Sequence, residues 1–178
     1  MNYGAWGIYT GSNIKAPLKN GFWKFGIANE MMRVKIKKLH DAAVVPKLAS
    51  AGAACFDLCA VDADKFKPHP TDRHAAIFRT GLAFEVPEGF ALMVYSRSGH
   101  GFKDAIRLSN CVGIIDSDYR GELMVSLRAD GEPRANYIRT GDRIAQAMIL
   151  PVPAVQFVLA DELTETARGA GGFGSTGA

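Results

Sequence analysis

The segment VGIIDSDYRGELMVS, Val112–Ser126, sets two carboxylates, Asp116 and Asp118, beside a tyrosine, an arginine and a glycine. Branched apolar residues lie on both sides, so the segment reads as the tip of a hairpin. An aspartate with the ordinary pKa of about 3.9 is ionised at neutral pH, and can orient a water and accept its proton. Two solvated turn acids would look the same in sequence. What separates the readings is the company these residues keep.

Four other pieces carry chemistry. SRSGHG, Ser96–Gly101, follows an apolar strand pattern. Arg97 offers a planar fork of donors, Ser98 a hydroxyl, and Gly99 lets a ligand approach the backbone, so the loop suits an anion; an ordinary turn with a surface arginine is the alternative. GDRIAQ, Gly141–Gln146, is a turn entering a strand, with the Gln146 amide as a neutral donor. AGAACFDLCA places Asp57 inside an apolar run. The final RGAGGFGSTGA has the composition of a mobile tail, yet a linker needs neither Arg168 nor Phe173.

Other chemistries are excluded. The glycine-rich tail has no Gly-Lys-Ser/Thr ending and no helix pattern after it, no GxGxxG opens a βαβ unit, and no GxSxG elbow occurs. His40, His69, His74 and His100 share no metal-ligand spacing; the first three read as surface residues, and His100 lies inside the arginine loop. Three cysteines, Cys55, Cys59 and Cys111, make an odd count without a disulfide framework, and read as reduced, mostly buried thiols of a cytoplasmic protein. A net charge of +3 over scattered lysines and arginines gives no reason to expect nucleic acid. No run is long and apolar enough for a membrane span, and no secretory signal opens the chain.

The elements that must position these residues are short strands. The chain of 178 residues suits one domain, with 48% apolar and 22% charged residues. Residues 1–31, rich in Gly, Asn and aromatics, form an N-terminal extension of unknown role, and the folded domain is expected from Met32. MRVKIKKL reads as an edge strand with lysines between its apolar positions. AAIFRTGLAFEVP, GFALMVYSRS, CVGIID, ELMVSLRA and RIAQAMILPVPAVQFVLA all read as strands, with at most one brief helix, near Ser96 to Asp104, or none. Short strands at such spacing predict an all-β sandwich or barrel, such as a jelly roll.

The five pieces, in this order, resemble the five motifs of the homotrimeric dUTP diphosphatases (dUTPases), from about Met32 to Ala178. NCVGIIDSDYRGE, GDRIAQ and RGAGGFGSTG are near-complete family motifs. The first motif departs from the family pattern, reading Ala53-Ala54-Cys55-Phe56 before Asp57. The second keeps its Arg-Ser-Gly core, but Tyr95-Ser96 precedes it and His100 follows it.

The resemblance implies a distorted jelly-roll or β-barrel-like domain in a homotrimer with shared active sites. It implies Mg²⁺-dependent hydrolysis of dUTP to dUMP and diphosphate, which keeps uracil out of DNA and supplies the thymidylate precursor. Asp116 is the implied general base, and Asp118 pins the turn or pairs with an arginine. Arg97, Ser98, Gly99 and Gln146 hold phosphates. Asn110 and the backbone of Gly113, Ile114 and Ile115 read the uracil edge, while Tyr119 packs on the deoxyribose and Met124 walls the pocket. Arg168 caps the outermost phosphate and Phe173 closes over the base, making residues 168–178 a mobile lid over the site. Asp57 touches the phosphate-bound Mg²⁺ through water. Two rivals remain: a dCTP deaminase of the same fold, which needs a glutamate near Val125-Ser126, and a non-catalytic nucleotide-binding or structural jelly roll.

Overall fold

The computed structural model describes residues 32–130 and 138–172. The expected N-terminal extension, residues 1–31, and Phe173 lie outside the described residues.

The strands are β1 Lys35–Lys38, β2 Phe56–Cys59, β3 Lys67–Pro68, β4 Ala75–Arg79, β5 Leu82–Glu85, β6 Phe90–Tyr95, β7 Ile106–Leu108, β8 Val112–Ile115, β9 Met124–Ala129 and β10 Arg143–Pro151. Among the described residues one α-helix, α1, spans Ser98–Asp104, within the interval where a helix is allowed, and one 3₁₀ turn covers Ala63–Lys65. Among the described residues there are two four-stranded sheets, ordered β2-β10-β6-β8 and β3-β4-β9-β7, and a separate two-stranded β1-β5 ribbon. All paired strands are antiparallel.

Alternation explains the sandwich. Val125, Leu127 and Ala129 of β9 point inward while Met124, Ser126 and Arg128 face out, as the two-residue period of a strand requires. Leu58, Leu92, Val94, Ala145 and Ala147 from one sheet meet Phe78, Ile106, Leu108, Val125 and Leu127 from the other in one core. The all-β expectation holds.

Three details differ from the sequence reading. First, AAIFRTGLAFEVP is two strands. Gly81 breaks it at φ 67°, where a Cβ would stand 2.8 Å from the His40 Cβ and 2.9 Å from the Ala43 Cβ. Second, the strands around Asp116 are no hairpin. Among the described residues β8 pairs only with β6, whereas β9 pairs with β4 and β7 in the other sheet. Residues 116–123 therefore cross from one sheet to the other. Third, the last apolar run leaves the sheet after Pro151, and residues 152–170 are exposed, with Phe157 at 95% and Leu159 at 99%. Their apolar pattern continues, but among the described residues nothing covers it.

Among the described residues, no helix is long and apolar enough to cross a membrane. His40, His69 and His74 are half-buried rather than free on the surface. The cysteines are unpaired, but Cys55 and Cys59 are only half-buried and Cys111 is exposed; the expectation of mostly buried thiols fails because Cys111 sits at an open turn with φ 63°.

Candidate active site

The site is built from β10 outward. Its central strand lies between β2 and β6, with Gln146 opposite both Asp57 and Tyr95. This register carries Asp57 and the residues just after β6 to the same end of the sheet. Arg97 Nε donates to Asp57 Oδ1 at 2.9 Å, and Arg143 Nη1 donates to Asp57 Oδ2 at 3.1 Å. Arg97 Nη1 also donates to the Arg143 carbonyl at 3.1 Å. One carboxylate thus holds two guanidiniums side by side, a concentration of positive charge that suits a polyanion.

Arg97 is extended and precedes α1, whose first turn contains Ser98 and Gly99, both exposed. The first backbone N–H groups of a helix have no intrahelical acceptor, so this turn presents donors beside the arginines. Gln146 Nε2 donates to the Ser96 carbonyl at 2.9 Å, and the Ser96 hydroxyl accepts from the Leu108 N–H at 2.9 Å. One amide hydrogen of Gln146 therefore supports the loop, leaving the other for a ligand. His100 joins its Nε2 to the Arg143 carbonyl at 2.9 Å and faces Asp104 Oδ2 with Nδ1 at 3.4 Å. It ties α1 to β10.

Burial, and then the nearby Asp57 carboxylate, push the Cys59 thiol above its ordinary pKa; the same two causes raise Cys55. Neither is poised as a nucleophile.

β8 is the edge of its sheet, so half of its main-chain N–H and C=O groups have no ladder partner. Gly113 sits close against the sheet, since a Cβ there would lie 3.1 Å from the Val94 Cβ and 3.8 Å from Asn110 Nδ2. Asn110, Gly113, Ile114 and Ile115 thus form one open edge able to pair with a planar base. Ile114 is 63% exposed. Tyr119, in the loop that leaves this edge, and Met124, the first residue of β9, are also exposed.

Asp116 does not join the arginines. Tyr95 is opposite Val112 and Leu92 opposite Ile115. Extending that register sets Asp116 level with Ala91, six positions before Arg97, or roughly 20 Å along the strand at about 3.3 Å per residue. Among the described residues, Asp118 neither pins the turn nor pairs with an arginine: Arg120 Nη1 donates to the carbonyls of Ser117 and Tyr119 instead. Arg168 is exposed, and its Nε donates to the Gly171 carbonyl at 2.8 Å.

The dUTPase family model matches residues 41–177. The chain belongs to the dUTPase family. It is 44% identical over 146 residues to the deoxyuridine 5'-triphosphate nucleotidohydrolase of Wolinella succinogenes, covering 82% of this chain and 95% of that one. The enzyme of the same name from Nautilia profundicola is 43% identical over 146 residues, covering 82% and 99%. Among solved structures, the Staphylococcus bacteriophage 80alpha dUTPase with dUPNHPP aligns with a TM-score of 0.70 at 24% identity, covering 83% of this chain and all of that one; at that identity the likeness concerns the fold.

Sequence reading missed Arg143 as a partner of Asp57, although it stands inside GDRIAQ. It also passed over Glu122, the last residue of the third motif. The Glu122 carboxylate accepts from Arg79 Nε at 2.9 and 3.1 Å and from the Gly81 N–H at 2.8 Å. A motif acid directly before an apolar strand was the available signal.

Among the described residues, no cluster of three His, Cys, Asp or Glu side chains could hold a metal. An ion such as Mg²⁺ keeps its waters and binds mainly through phosphate oxygens, so what it asks of a protein is a carboxylate that can accept from a metal-bound water. Each Asp57 oxygen accepts one guanidinium hydrogen bond and has a lone pair left for a metal-bound water.

Proposed function

We propose that this protein hydrolyses dUTP to dUMP and diphosphate. The observation that carries the reading is the convergence of the first, second and fourth family motifs on the Asp57–Arg97 pair, with Arg143 and Gln146 beside it. Family membership supplies the substrate class.

In this reading Arg97, Ser98, Gly99 and Gln146 bind the phosphates. Asn110 and the β8 edge from Gly113 to Ile115 pair with uracil. A wrong base would leave those polar groups unpaired, a strong basis for discrimination. Tyr119 lies on the deoxyribose, leaving no room for a 2′-hydroxyl, and Met124 closes the pocket wall. Arg168 caps the terminal phosphate, and Phe173 covers the base.

Asp116 orients a water and takes its proton as the water oxygen bonds to the α-phosphorus. The bond from that phosphorus to the bridging oxygen breaks, and diphosphate leaves with the electron pair. Asp57 would contact a phosphate-bound Mg²⁺ through water, and the ion would supply positive charge to the phosphates.

The separation of Asp116 from Arg97 supports a site completed between protomers of a homotrimer, one contributing Asp116 and the β8 edge and another the arginines. The uncovered apolar side chains of residues 152–163, including Val155, Phe157 and Leu159, support the same assembly, because a neighbouring copy would bury them. The lid and shared-site roles of the tail belong to this proposal.

The test is diphosphate release by the purified chain from a panel of deoxy- and ribonucleoside triphosphates, with and without Mg²⁺. dUTP should be cleaved, and Asp116→Asn should bind dUTP yet hardly turn it over. Ammonia from dCTP would instead identify a deaminase, and binding without turnover a non-catalytic nucleotide protein. Mass photometry should find a trimer; an active monomer would overturn the shared site.

A further inference from the structure

The loop between β8 and β9 carries Tyr119, and its far end is stapled into the break between β4 and β5. The Leu123 N–H donates to the Leu82 carbonyl at 2.8 Å, and the fully buried Thr80 hydroxyl donates to the Leu123 carbonyl at 2.6 Å. Just before this staple, the Glu122 carboxylate receives Arg79 Nε on both oxygens and the Gly81 N–H on one. The Glu122 side chain is only 16% exposed, so it lies where a charge-assisted hydrogen bond is strong. Arg79 is steadied from its other side by Asp62, 3.5 Å from Nη1.

This anchor reaches Tyr119 by two direct contacts. The Tyr119 hydroxyl donates to the Glu122 carbonyl at 3.0 Å. The ring also folds back over Gly121: a Cβ there would meet the Tyr119 hydroxyl and stand 2.5 Å from Cζ. Only a residue without a side chain leaves the ring that space. The exposed ring is therefore held by its own loop, whose position is set by Arg79 on another strand.

We infer that Arg79, Glu122 and Gly121 determine sugar specificity by fixing the Tyr119 ring. None of the three touches substrate in this scheme; they are positioning residues. The inference rests on the proposal that Tyr119 packs against the deoxyribose. A small displacement of that ring would admit a 2′-hydroxyl, so what depends on these residues is the choice between dUTP and UTP.

The experiment compares kcat/KM for dUTP and UTP in the full chain and in Tyr119→Ala, Glu122→Ala, Glu122→Gln and Gly121→Ala, with thermal unfolding of each. Glu122→Ala should lower the dUTP-to-UTP ratio about tenfold, chiefly through faster UTP hydrolysis, the scale expected when a steric wall loosens. Glu122→Gln should restore most of the ratio, because its amide oxygen still accepts from Arg79 and Gly81. Gly121→Ala should lower the ratio as Glu122→Ala does while leaving the ion pair intact, and it carries the test if Glu122→Ala does not fold. Folded Glu122→Ala and Gly121→Ala proteins with the parental ratio, or with equal losses on both substrates, would overturn the inference while a collapsed ratio in Tyr119→Ala left the sugar contact standing. A parental ratio in Tyr119→Ala would remove the sugar contact itself and the positioning with it.

Discussion

Asp57 and Arg97 lie forty positions apart and meet in a 2.9 Å ion pair, with Arg143 on the second carboxylate oxygen. Asp57 and Arg97 are only a quarter and a fifth exposed, so the pair is screened less than a surface bridge. Its carboxylate is what allows two cations to sit together before any phosphate arrives. Asp57→Ala would leave those guanidiniums facing each other with no counter-charge. We expect a loss of about 1–2 kcal/mol, between the cost of an exposed pair and that of a fully buried one. For a chain of this size that lowers Tm by about 2–4 °C per kcal/mol. Thermal unfolding without nucleotide measures it, and added diphosphate should recover part of the loss by supplying the missing negative charge. A variant that melts with the parent would show that Asp57 does not hold the arginines together.

Gly81→Ala tests the kink that separates β4 from β5. The residue needs a left-handed backbone, and its absent Cβ leaves room for the Cβ atoms of His40 and Ala43. A methyl there adds backbone strain to a steric clash, so about 2–4 kcal/mol should be lost. Gly89 is the control. It also has a positive φ, 80°, but nothing stands within 4 Å of a Cβ there, and its substitution by alanine should cost only about 1 kcal/mol. Urea unfolding midpoints of the two variants separate clash from strain. Equal shifts would mean that His40 and Ala43 move aside freely.

The sequence was most legible where a property is local. Short strands, the brief helix before Ile106 and the motif residues Asp57, Arg97 and Gln146 could all be read from alternation, turn residues and the order of the pieces. Partner choice could not. Val112–Ile115 and Met124–Ala129 have the pattern of two hairpin arms, yet their ladders lie in different sheets, because a strand's own alternation does not specify which neighbour its backbone joins. The Arg143–Asp57 contact spans 86 positions, and nothing near either residue announces it. The apolar run after Pro151 misled for another reason: an apolar pattern predicts a covered face, yet among the described residues nothing covers Val155, Phe157 or Leu159.

Lys35 and Glu85 give the pH dependence a defined sign. Lys35 Nζ donates to Glu85 Oε1 at 2.8 Å across the β1–β5 ribbon. The hydrogen bond to Lys35, and then its charge, hold the Glu85 carboxyl below its usual range. A carboxylate depressed in the folded state contributes stability above its unfolded pKa, about 4.3 for Glu, and loses it as pH falls through the folded value. The ribbon should therefore be indifferent to this pair's titration near neutrality and loosen only on acidification below the ordinary glutamate range. Both side chains are exposed, so the effect belongs to the local opening of β1 rather than to global unfolding. Carboxyl ¹³C titration should find Glu85 shifted down in the parent and returned to ordinary values in Lys35→Met. Amide exchange of Lys35–Lys38 should quicken in that variant at neutral pH and gain no further change from Glu85 protonation on acidification. An unshifted Glu85 in the parent would show that Lys35 does not hold it in solution.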